Sequence, residues 1–333
     1  MNEILIRMLY HTNGGDTIKI GFIGPGKVGV NLGRYFTQKG ITISGFYGQN
    51  IKSTKEDVKI TKSKFYENIK DIIKESDILF ITTPDDIISI IDTQLSKFNL
   101  NNKSICHTSG SLKANVLYNS KNSGALIYSI HPMFAFSNKN INLNELEKIY
   151  FSIEGDYFEN SPIESLIKKL GNKYFLRKEE DSATYHLANV FVSNLILSLL
   201  NIGISYFKKL GLSENEALEA IKPLVKGNIE SIFEKGFLDS LTGPILRGDL
   251  TTVEKHLNVL EKDHDKLYKI LSLNLLELVA VRENANIINL HKENNLNSKK
   301  ENNLNSINED LIEILISNSK KHSQIFRILG GMD

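Results

Sequence analysis

The sequence contains a single cysteine, Cys106, among 333 residues. One cysteine excludes an intramolecular disulfide and any metal site built from several cysteines, so a reducing cytoplasm is the expected location. There are 40 basic and 39 acidic residues, which give a formal net charge of +1. Nucleic-acid and membrane partners both need a local basic excess, and here the lysines are interspersed with acidic residues. We therefore expect neither class of partner.

Long apolar segments and metal-binding patterns are also missing. No apolar run of about twenty residues is found, so no membrane span is expected, and residues 1–16 lack the features of a secretory signal. No His-x-x-x-His pair or Cys cluster occurs, and Asp263-His264-Asp265 is typical of a solvated helix surface. We therefore expect no metal site. Ser109-Gly110-Ser111 lacks the flanking pattern of a nucleophilic serine.

The clearest motif that is present lies near the N-terminus. An apolar run over 18–23 precedes Gly24-Pro25-Gly26-Lys27-Val28-Gly29, and an amphipathic helical pattern follows it. A G-x-G-x-x-G turn between a strand and a helix is typical of dinucleotide binding. We expect Gly24 to form the tight turn, Gly26 to admit a pyrophosphate, and Gly29 to let helix and strand pack closely. The alternative is a glycine-rich turn that binds no ligand.

The end of the second predicted strand, 41–47, bears on the choice between NAD and NADP. An acidic side chain there binds the ribose 2′-hydroxyl of NAD, but no Asp or Glu occurs between the strand and Lys55. Tyr47-Gly48-Gln49-Asn50 is followed instead by Lys52, Ser53 and Lys55, polar and basic groups that could accept a 2′-phosphate. The sequence therefore favours NADP, with NAD still possible. The alternative is an ordinary polar surface loop.

Strands and helices alternate up to about residue 178. Short strands are predicted over 58–61, 78–81, 104–107, 126–130, 150–154 and 173–176, and a helix over 68–74. The run 78–81 is apolar throughout, as in a parallel sheet that is buried on both faces. Ligands bind beyond the carboxyl ends of such strands, so Thr83, Pro84, Thr108 and Ser109 are expected to face the nucleotide together with the glycine loop.

From about residue 179 the pattern changes to long helices. Residues 182–210 predict one long, largely apolar helix, and a capping box at Ser213-Glu214-Asn215-Glu216 begins the next. Pro223 is expected to kink or break that helix. Helical spacing returns over 252–281 and 311–329.

The predicted architecture is α/β, with a doubly wound parallel sheet followed by an all-α domain. We predict an N-terminal extension over 1–16, a Rossmann dinucleotide-binding domain over 17–178 and a helical dimerisation or substrate domain over 179–333. An Asn-rich near-repeat over 291–307 is too polar to bury a core, so it is expected to be a disordered insert.

Seven motifs occur in a fixed order: Gly24-x-Gly26-x-x-Gly29, Thr83-Pro84-Asp85-Asp86, His107-Thr108-Ser109-Gly110-Ser111-Leu112, His131-Pro132-Met133, Tyr185-His186, Ser193-Asn194 and Leu241-Thr242-Gly243-Pro244-x-x-Arg247-Gly248-Asp249. Together they resemble a bacterial family of Rossmann-like proteins assigned as oxidoreductases, whose C-terminal half is domain of unknown function 2520. The resemblance implies a helical domain like those of 6-phosphogluconate dehydrogenase and pyrroline-5-carboxylate reductase, which dimerise through it. It implies no substrate.

A shorter stretch is similar to prephenate dehydrogenases. Gly110-Ser111-Leu112-Lys113 and His131-Pro132-Met133 match two of their segments. This resemblance implies a catalytic proton acceptor at His131. The chain departs from these enzymes at Phe134-Ala135-Phe136, where a glycine is usual, so the resemblance indicates a position and not a substrate.

Hydride transfer to or from a carbonyl, imine or alcohol carbon needs a group that gives or takes the matching proton, and histidine titrates in the right range. His131 ends a strand at the ligand edge, unless it only hydrogen-bonds a loop. His186 shares a polar helix face with Asn189 and Ser193, which faces either a substrate or a dimer interface. Arg247 could bind a substrate carboxylate or pair with Asp249 or Asp239. The candidate catalytic residues are His131, His186, Ser111, Asn194 and Arg247.

The sequence therefore predicts an NAD(P)-dependent oxidoreductase that acts on a small carbonyl, imine or hydroxy-acid substrate. The alternative from another class is a non-catalytic NADP-binding sensor or scaffold, because fold alone does not decide between them. A homodimer is expected, since a helical domain of some 150 residues can hardly enclose the apolar helix over 182–210 by itself.

Overall fold

The computed structural model describes residues 18–293 and 319–330, with side chains described up to residue 283 and from residue 319 onward. The chain divides into two compact units, Met1–Leu199 and Leu200–Asp333. The predicted extension over 1–16 lies outside the described residues, as do 294–307 of the predicted insert and 311–318 of the last predicted helix. The domain boundary at 178/179 stays a prediction.

The described part of the first unit is an eight-stranded sheet with helices packed on it. The strands are β1 Lys19–Ile23, β2 Thr42–Tyr47, β3 Lys64–Tyr66, β4 Ile78–Ile81, β5 Ser104–His107, β6 Leu126–Met133, β7 Tyr150–Gly155 and β8 Tyr174–Leu176. The helices are α1 Lys27–Gln38, α2 Ile51–Thr61, α3 Ile69–Glu75, α4 Asp85–Leu95, α5 Tyr118–Asn122, α6 Leu143–Leu146, α7 Pro162–Leu170 and α8 Ser182–Val192, with 3₁₀ turns at Ala114–Leu117 and Glu179–Asp181.

The strand order is β3-β2-β1-β4-β5-β6-β7-β8. Strands β1 to β6 are parallel, β7 runs antiparallel to β6, and β8 is parallel to β7. The order 3-2-1-4-5-6 is that of the Rossmann fold. The predicted α/β class with a helical C-terminal region is therefore confirmed, and the sheet is parallel except at β7 and β8.

Side chains alternate between two buried cores on the two faces of the sheet, as strand geometry requires. On one face Phe22 stacks on Phe46 with ring centroids 5.0 Å apart, and Phe80 and Tyr128 belong to the same core. Leu79, Ile105 and Ile127 belong to the core on the opposite face. Continuous apolar strands such as β4 therefore reflect burial on both sides.

The predicted strand over 58–61 is wrong, because these residues end helix α2. The helix begins after Asn50, whose side chain accepts a hydrogen bond from the Ser53 N–H at 3.0 Å. An N-cap of this kind favours a helix, and of the two apolar residues that suggested a strand, Val58 is buried and Ile60 is exposed on α2. The third strand, β3, forms a few residues later.

Helix α9, Asn194–Lys209, contains the division point between the units, and the second unit is helical in its described part. Its further helices are α10 Glu214–Asp239, α11 Gly243–Arg247, α12 Leu250–Val259, α13 Lys262–Glu293 and α14 Lys320–Ile328. The Ser213 capping box is present, as predicted. One buried cluster of this unit includes Ile245, Val253, Leu276 and Ile325.

Three helix predictions need correction. The helix predicted over 182–210 is interrupted at Ser193, whose backbone is not helical (φ −125°, ψ −76°), and so forms α8 and α9. Helix α10 is not broken at Pro223, one of the two predicted outcomes; its non-helical backbone lies at Gly236, with φ 80°, a conformation that glycine adopts at little cost. The continuous helical spacing over 252–281 corresponds to two helices, α12 and α13, and not to one.

The helical segment Glu179–Lys209 is long and apolar enough to cross a membrane by length and composition. Its 18-residue window has a mean hydropathy of 1.8, and 6% of the window is buried. The expectation that the chain has no such stretch is therefore wrong. Phe191, Val192 and Leu197 are among its exposed side chains. Length and composition alone do not distinguish a membrane span from a helix that another protein surface covers.

Candidate functional site

The glycine loop joins β1 to α1. Gly24 has φ 100° and donates its N–H to the Tyr47 carbonyl at 2.9 Å, so it forms a tight turn that favours glycine. A Cβ at Gly29 would lie 2.4 Å from Thr82 Oγ1, so this approach of helix and strand requires glycine. A Cβ at Gly26 would meet only the Thr82 carbonyl oxygen, at 3.5 Å, among the described residues. Gly26 therefore leaves space at the start of α1.

The start of α1 and the Thr83 side chain fit a dinucleotide. Lys27 is the first residue of α1, and no side chain caps this end, so the first-turn N–H groups are open to phosphate oxygens. Thr83 follows β4, and its buried Oγ1 has no hydrogen-bond partner in the described part of the chain. A buried hydroxyl without a partner is costly. A polar ligand group at this edge would satisfy it.

The loop after β2 touches the glycine loop. A Cβ at Gly48 would lie 2.7 Å from Pro25 Cδ, so the backbone after Tyr47 passes directly over Pro25. Gln49 is exposed, and Asn50 is the N-cap of α2. The positive end of the α2 dipole therefore lies at the end of β2, where it favours an anion.

The two lysines that follow the β2 loop differ in how freely their ammonium groups could reach a cofactor phosphate. Lys52 is exposed in the first turn of α2, whereas the Lys55 ammonium lies 5.3 Å from the Phe65 ring centroid. Asp57, a buried carboxylate further along α2, pairs with Lys139 at 2.8 Å. The acidic side chain that would bind a ribose 2′-hydroxyl is thus missing from 41–55, and Asp57 is already paired.

A carboxylate lies at the start of α4. Asp85 Oδ2 accepts hydrogen bonds from Ser109 Oγ at 2.8 Å and from Ser111 Oγ at 2.6 Å. Ser109 Oγ in turn accepts the N–H groups of Ser111 and Leu112. These bonds hold the loop after β5 on the first turn of α4, where the helix dipole favours a negative charge.

His131 lies in β6, between the loop after β5 and helix α8. Its Nδ1 is 2.5 Å from the Tyr185 hydroxyl oxygen, and the rings meet edge to face with centroids 5.7 Å apart. A Cβ at Gly110 would lie 2.9 Å from Nε2. Burial, reinforced by the charge of Arg177, lowers the pKa of His131 to about 4. The imidazole is therefore neutral at neutral pH.

Next to His131, polar side chains of β5, β6 and β7 lie side by side on one face of the sheet. Strand register places His107 beside Ser129 and Ser129 beside Glu154. Arg177 donates to Ser129 Oγ at 2.8 Å and lies 3.7 Å from Glu154 Oε2. The side chains of Arg177 and Glu154 are only 2% and 6% exposed. Burial raises the pKa of the Glu154 carboxyl.

His107 has a structural role. Its Nε2 donates to the Lys113 carbonyl at 3.1 Å, while Nδ1 accepts the Ser109 N–H at 3.2 Å. Both ring nitrogens are therefore used to hold the loop over 108–113. Burial lowers the pKa of His107 to about 4.

The other predicted catalytic residues are less enclosed. His186 is exposed on α8 but close enough to His131 for its charge to lower the pKa of that imidazole. Asn194 is exposed and accepts a hydrogen bond from Ser193 Oγ at 3.0 Å. Arg247 is exposed in the second unit and forms no ion pair within 4.0 Å with any described residue. Asp249, one proposed partner, instead caps α12 through Thr252.

Two family models match the chain. Residues 13–132 match the Rossmann-like domain, and residues 149–275 match the domain of unknown function DUF2520. The chain carries a Rossmann-like domain followed by a DUF2520 domain. The resemblance seen in the motifs is thus confirmed. His131 lies at the end of the first match and Tyr185 lies within the DUF2520 match, so their hydrogen bond joins the two matched regions. No curated protein matches the chain.

Solved structures similar to this combination of a Rossmann-like and a DUF2520 domain include three from different organisms. A protein from Thermotoga maritima is 27% identical, with TM-score 0.61, covering 80% of this chain and 99% of its own. A Bacteroides fragilis protein, named as a candidate NADP oxidoreductase, is 21% identical, with TM-score 0.60 and coverages of 78% and 98%. A Plasmodium falciparum pyrroline carboxylate reductase with NADP bound is 20% identical, with TM-score 0.52 and coverages of 80% and 97%. The likeness to the last two shows the fold alone.

The structure adds four residues to the candidate site that sequence reasoning did not select. Asp85 and Tyr185 both belong to the sequence motifs. Asp85 could also have been selected as an acidic residue in the first turn of a helix that follows a strand. Nothing in the sequence marks Glu154, within β7, or Arg177, directly after β8, as site residues, because charged side chains at such positions are usually exposed. Their pairing depends on strand register, which the DUF2520 segment acquires only in the folded sheet.

Proposed function

We propose that this chain is an NADP-linked oxidoreductase that transfers a hydride between nicotinamide and the carbon of a small carbonyl, imine or hydroxy acid. One observation carries the proposal: the carboxyl ends of β1, β4, β5 and β6 present the glycine loop and the His131–Tyr185 pair at the same sheet edge. The contacts Gly24–Thr83 and Gly110–His131 extend along this edge. One similar structure named as a candidate NADP oxidoreductase and one reductase solved with NADP bound support this proposal.

The cofactor site consists of the glycine loop with Gly24, Pro25, Gly26, Lys27, Val28 and Gly29, the β2 loop with Tyr47, Gly48 and Gln49, and the strand ends with Thr83, Pro84, Thr108 and Ser109. The N-terminus of α1 would bind the pyrophosphate. Bound nicotinamide supplies or takes the hydride.

The proton that accompanies the hydride passes through His131. In the reducing direction the neutral imidazole donates an N–H proton to the substrate oxygen or nitrogen while its other ring nitrogen takes up a proton, and in the oxidising direction both transfers reverse. Ser111, His186 and Asn194 are proposed to bind the substrate. Arg247, in the second unit, stays a separate prediction as a residue that could bind a carboxylate. The hydroxyl of Ser111 is anchored to Asp85, which would orient it as an acceptor.

NADP is proposed as the preferred cofactor because the β2 loop offers Lys52 and the N-terminus of α2 but no free carboxylate. A 2′-phosphate would be favoured there by both groups. A 2′-hydroxyl would lack its usual acidic partner.

We also propose that the protein is a homodimer in a reducing cytoplasm. The exposed apolar side chains of α8 and α9, among them Phe191 at 58% and Val192 at 69% exposure, would be covered by a second copy. Buried Cys106 needs no oxidising compartment. Light scattering at micromolar concentration tests the assembly, and a monomeric mass would contradict it.

Binding and turnover measured side by side test the proposed activity. Calorimetry gives the affinity for NADPH, and a panel of small keto acids, aldehydes and imines is then screened for NADPH oxidation. Turnover of at least one substrate, abolished by a variant that loses NADPH binding, is the expected result. Tight NADPH binding without turnover across the panel would favour the sensor or scaffold alternative. Absence of NADPH binding would refute both.

A further inference from the structure

Tyr185 lies over three groups of the first unit at once. Its hydroxyl meets His131 Nδ1 at 2.5 Å, its ring covers the Arg177 guanidinium with Cζ 5.0 Å from the ring centroid, and Phe175 packs edge-on at 5.9 Å. Arg177 is itself held by Ser129 and Glu154. The tyrosine ring is therefore fixed from below by a buried cation and from the side by a second aromatic ring.

A hydrogen bond between a phenol and an imidazole has two possible directions. If the hydroxyl donates, Nδ1 is the unprotonated nitrogen and the ring proton is on Nε2. If Nδ1 carries the proton, the hydroxyl accepts and Nε2 is unprotonated. The direction of the hydrogen bond at Nδ1 therefore decides whether Nε2 is a hydrogen-bond donor or an acceptor.

Two observations favour donation by the tyrosine, and a third shows that Nε2 is left to face a ligand. Burial raises the pKa of the Tyr185 hydroxyl, so it keeps its proton. The Arg177 cation below the ring makes the phenol a stronger donor and opposes a second positive charge on the imidazole. No described residue forms a hydrogen bond with His131 Nε2, which lies on the Gly110 side of the ring.

We propose that Tyr185 is a positioning residue that selects the tautomer of His131, donating its hydroxyl to Nδ1 so that Nε2–H faces the candidate site. This inference rests on the proposed role of His131 in the reaction. In the neutral enzyme Nε2–H then orients a substrate oxygen or nitrogen as a hydrogen-bond donor. When Nε2–H gives its proton to the substrate during reduction, Nδ1 takes the proton of the Tyr185 hydroxyl, so the imidazole stays neutral and the phenolate lies over the Arg177 guanidinium. Oxidation reverses both transfers.

The groups that bear on His131 come from several elements. Arg177 and His186 lower the pKa of the imidazole, Asp85 raises it, and His107 lowers it from the neighbouring strand. Tyr185 differs from these groups because it touches the ring directly. A change at Tyr185 should therefore alter the tautomer, which distant charges do not set.

The test is a nitrogen-15 NMR spectrum of the full-length protein with labelled histidine. The chain has 8 histidines, so the His131 signals are assigned by their loss in His131→Asn. The expected result at pH 7 is an Nε2–H tautomer in the wild type and a mixture of tautomers in Tyr185→Phe. Tyr157→Phe is the matched control, because it removes a phenol hydroxyl that pairs with Tyr174 at 3.0 Å in the same unit. It should leave the His131 signals unchanged.

Turnover is the second readout. Tyr185→Phe should reduce turnover by about tenfold or more, as expected when the group that orients a catalytic histidine is lost, with NADPH affinity unchanged. An Nδ1–H tautomer in the wild type would overturn the inference even if the variant did not fold. So would an unaltered spectrum in Tyr185→Phe. The spectrum needs no substrate, so an enzyme that shows the expected tautomer but no turnover would contradict the proposed function and leave the role of Tyr185 intact.

Discussion

Gly110 and His131 are in direct contact. A Cβ at Gly110 would lie 2.9 Å from Nε2 and 3.0 Å from Cε1 of the imidazole, closer than carbon atoms pack. Gly110 is held there by the loop that Ser109 and Asp85 fasten to α4. The position of the histidine ring thus depends on a residue with no side chain.

Gly110→Ala should displace the His131 ring from Tyr185. Because the new methyl group meets the imidazole and the backbone of Gly110 is not in the left-handed region, we expect the fold to survive and turnover to fall by at least about tenfold. Steady-state kinetics beside thermal unfolding check this. A variant as active as the wild type would show that the ring moves freely without loss of function.

His131→Asn should retain NADPH affinity and lose turnover. Removal of a general acid or base reduces rate by roughly 10² to 10⁴-fold, and the side chain is not among the proposed cofactor ligands. Calorimetry and a turnover assay on the enzyme's own substrate check this. Near wild-type turnover would make His131 structural, and His186 would be the next residue to test.

Gly26→Ala should affect NADPH affinity, whereas Gly29→Ala should affect the stability of the fold. A Cβ at Gly26 has room in the protein, at 3.5 Å from Thr82 O, but occupies the space proposed for the pyrophosphate. We expect an unchanged melting temperature and NADPH affinity weakened by about tenfold or more. Gly29→Ala clashes with Thr82 at 2.4 Å and should lower the melting temperature.

Gly203 offers a matched control, because a Cβ there meets nothing within 4 Å among the described residues. Gly203→Ala should change neither NADPH affinity nor fold. Unchanged NADPH affinity in Gly26→Ala would exclude a close approach of phosphate to this loop.

The protein should bind NADPH more tightly than NADH. Lys52→Glu, at the first turn of α2, should reduce this preference by several-fold, because it removes a cation and adds a repulsive charge near the proposed 2′-phosphate. Lys59→Glu makes the same change at an exposed position in the last turn of the same helix and should have little effect. Calorimetric titrations with both cofactors check the prediction. NADH binding at least as tight as NADPH binding would refute the NADP assignment.

Stability should fall as the pH decreases from about 6.5 to about 4. The pKa of buried His107 is lowered from 6.5 to about 4, so in this window the unfolded chain takes up a proton that the folded protein does not. The stability contributed by the neutral, buried ring is complete above 6.5 and lost as the pH approaches 4, up to about 3 kcal/mol. His131 acts in the same direction, while the raised pKa of Glu154 opposes it.

Denaturant unfolding at pH 7, 6 and 5 checks this expectation. His107→Gln should be less stable than the wild type at pH 7, since two loop hydrogen bonds are altered, but its stability should depend less on pH. An equal pH dependence in both proteins would show that His107 does not titrate between the folded and unfolded states.

The amino-acid sequence by itself determined the features that depend on near neighbours along the chain. The strand before Gly24 and the apolar run of β4 follow from residue spacing, and the Ser213 capping box lies within four residues. Such patterns act over one turn or one strand, so they can be read without knowing the fold. The same local reading failed at 58–61, where the cap at Asn50 and packing against the sheet produce a helix.

Only the tertiary structure decided the partners of His131. Tyr185 is 54 positions away in the sequence, and the buried pair of Glu154 and Arg177 depends on the register of β6, β7 and β8. Spacing does not encode such contacts, because they form only when separate strands are aligned and a helix packs over them. The sequence could therefore name a histidine at the ligand edge, and the fold alone supplied the tyrosine and the buried cation that hold it there.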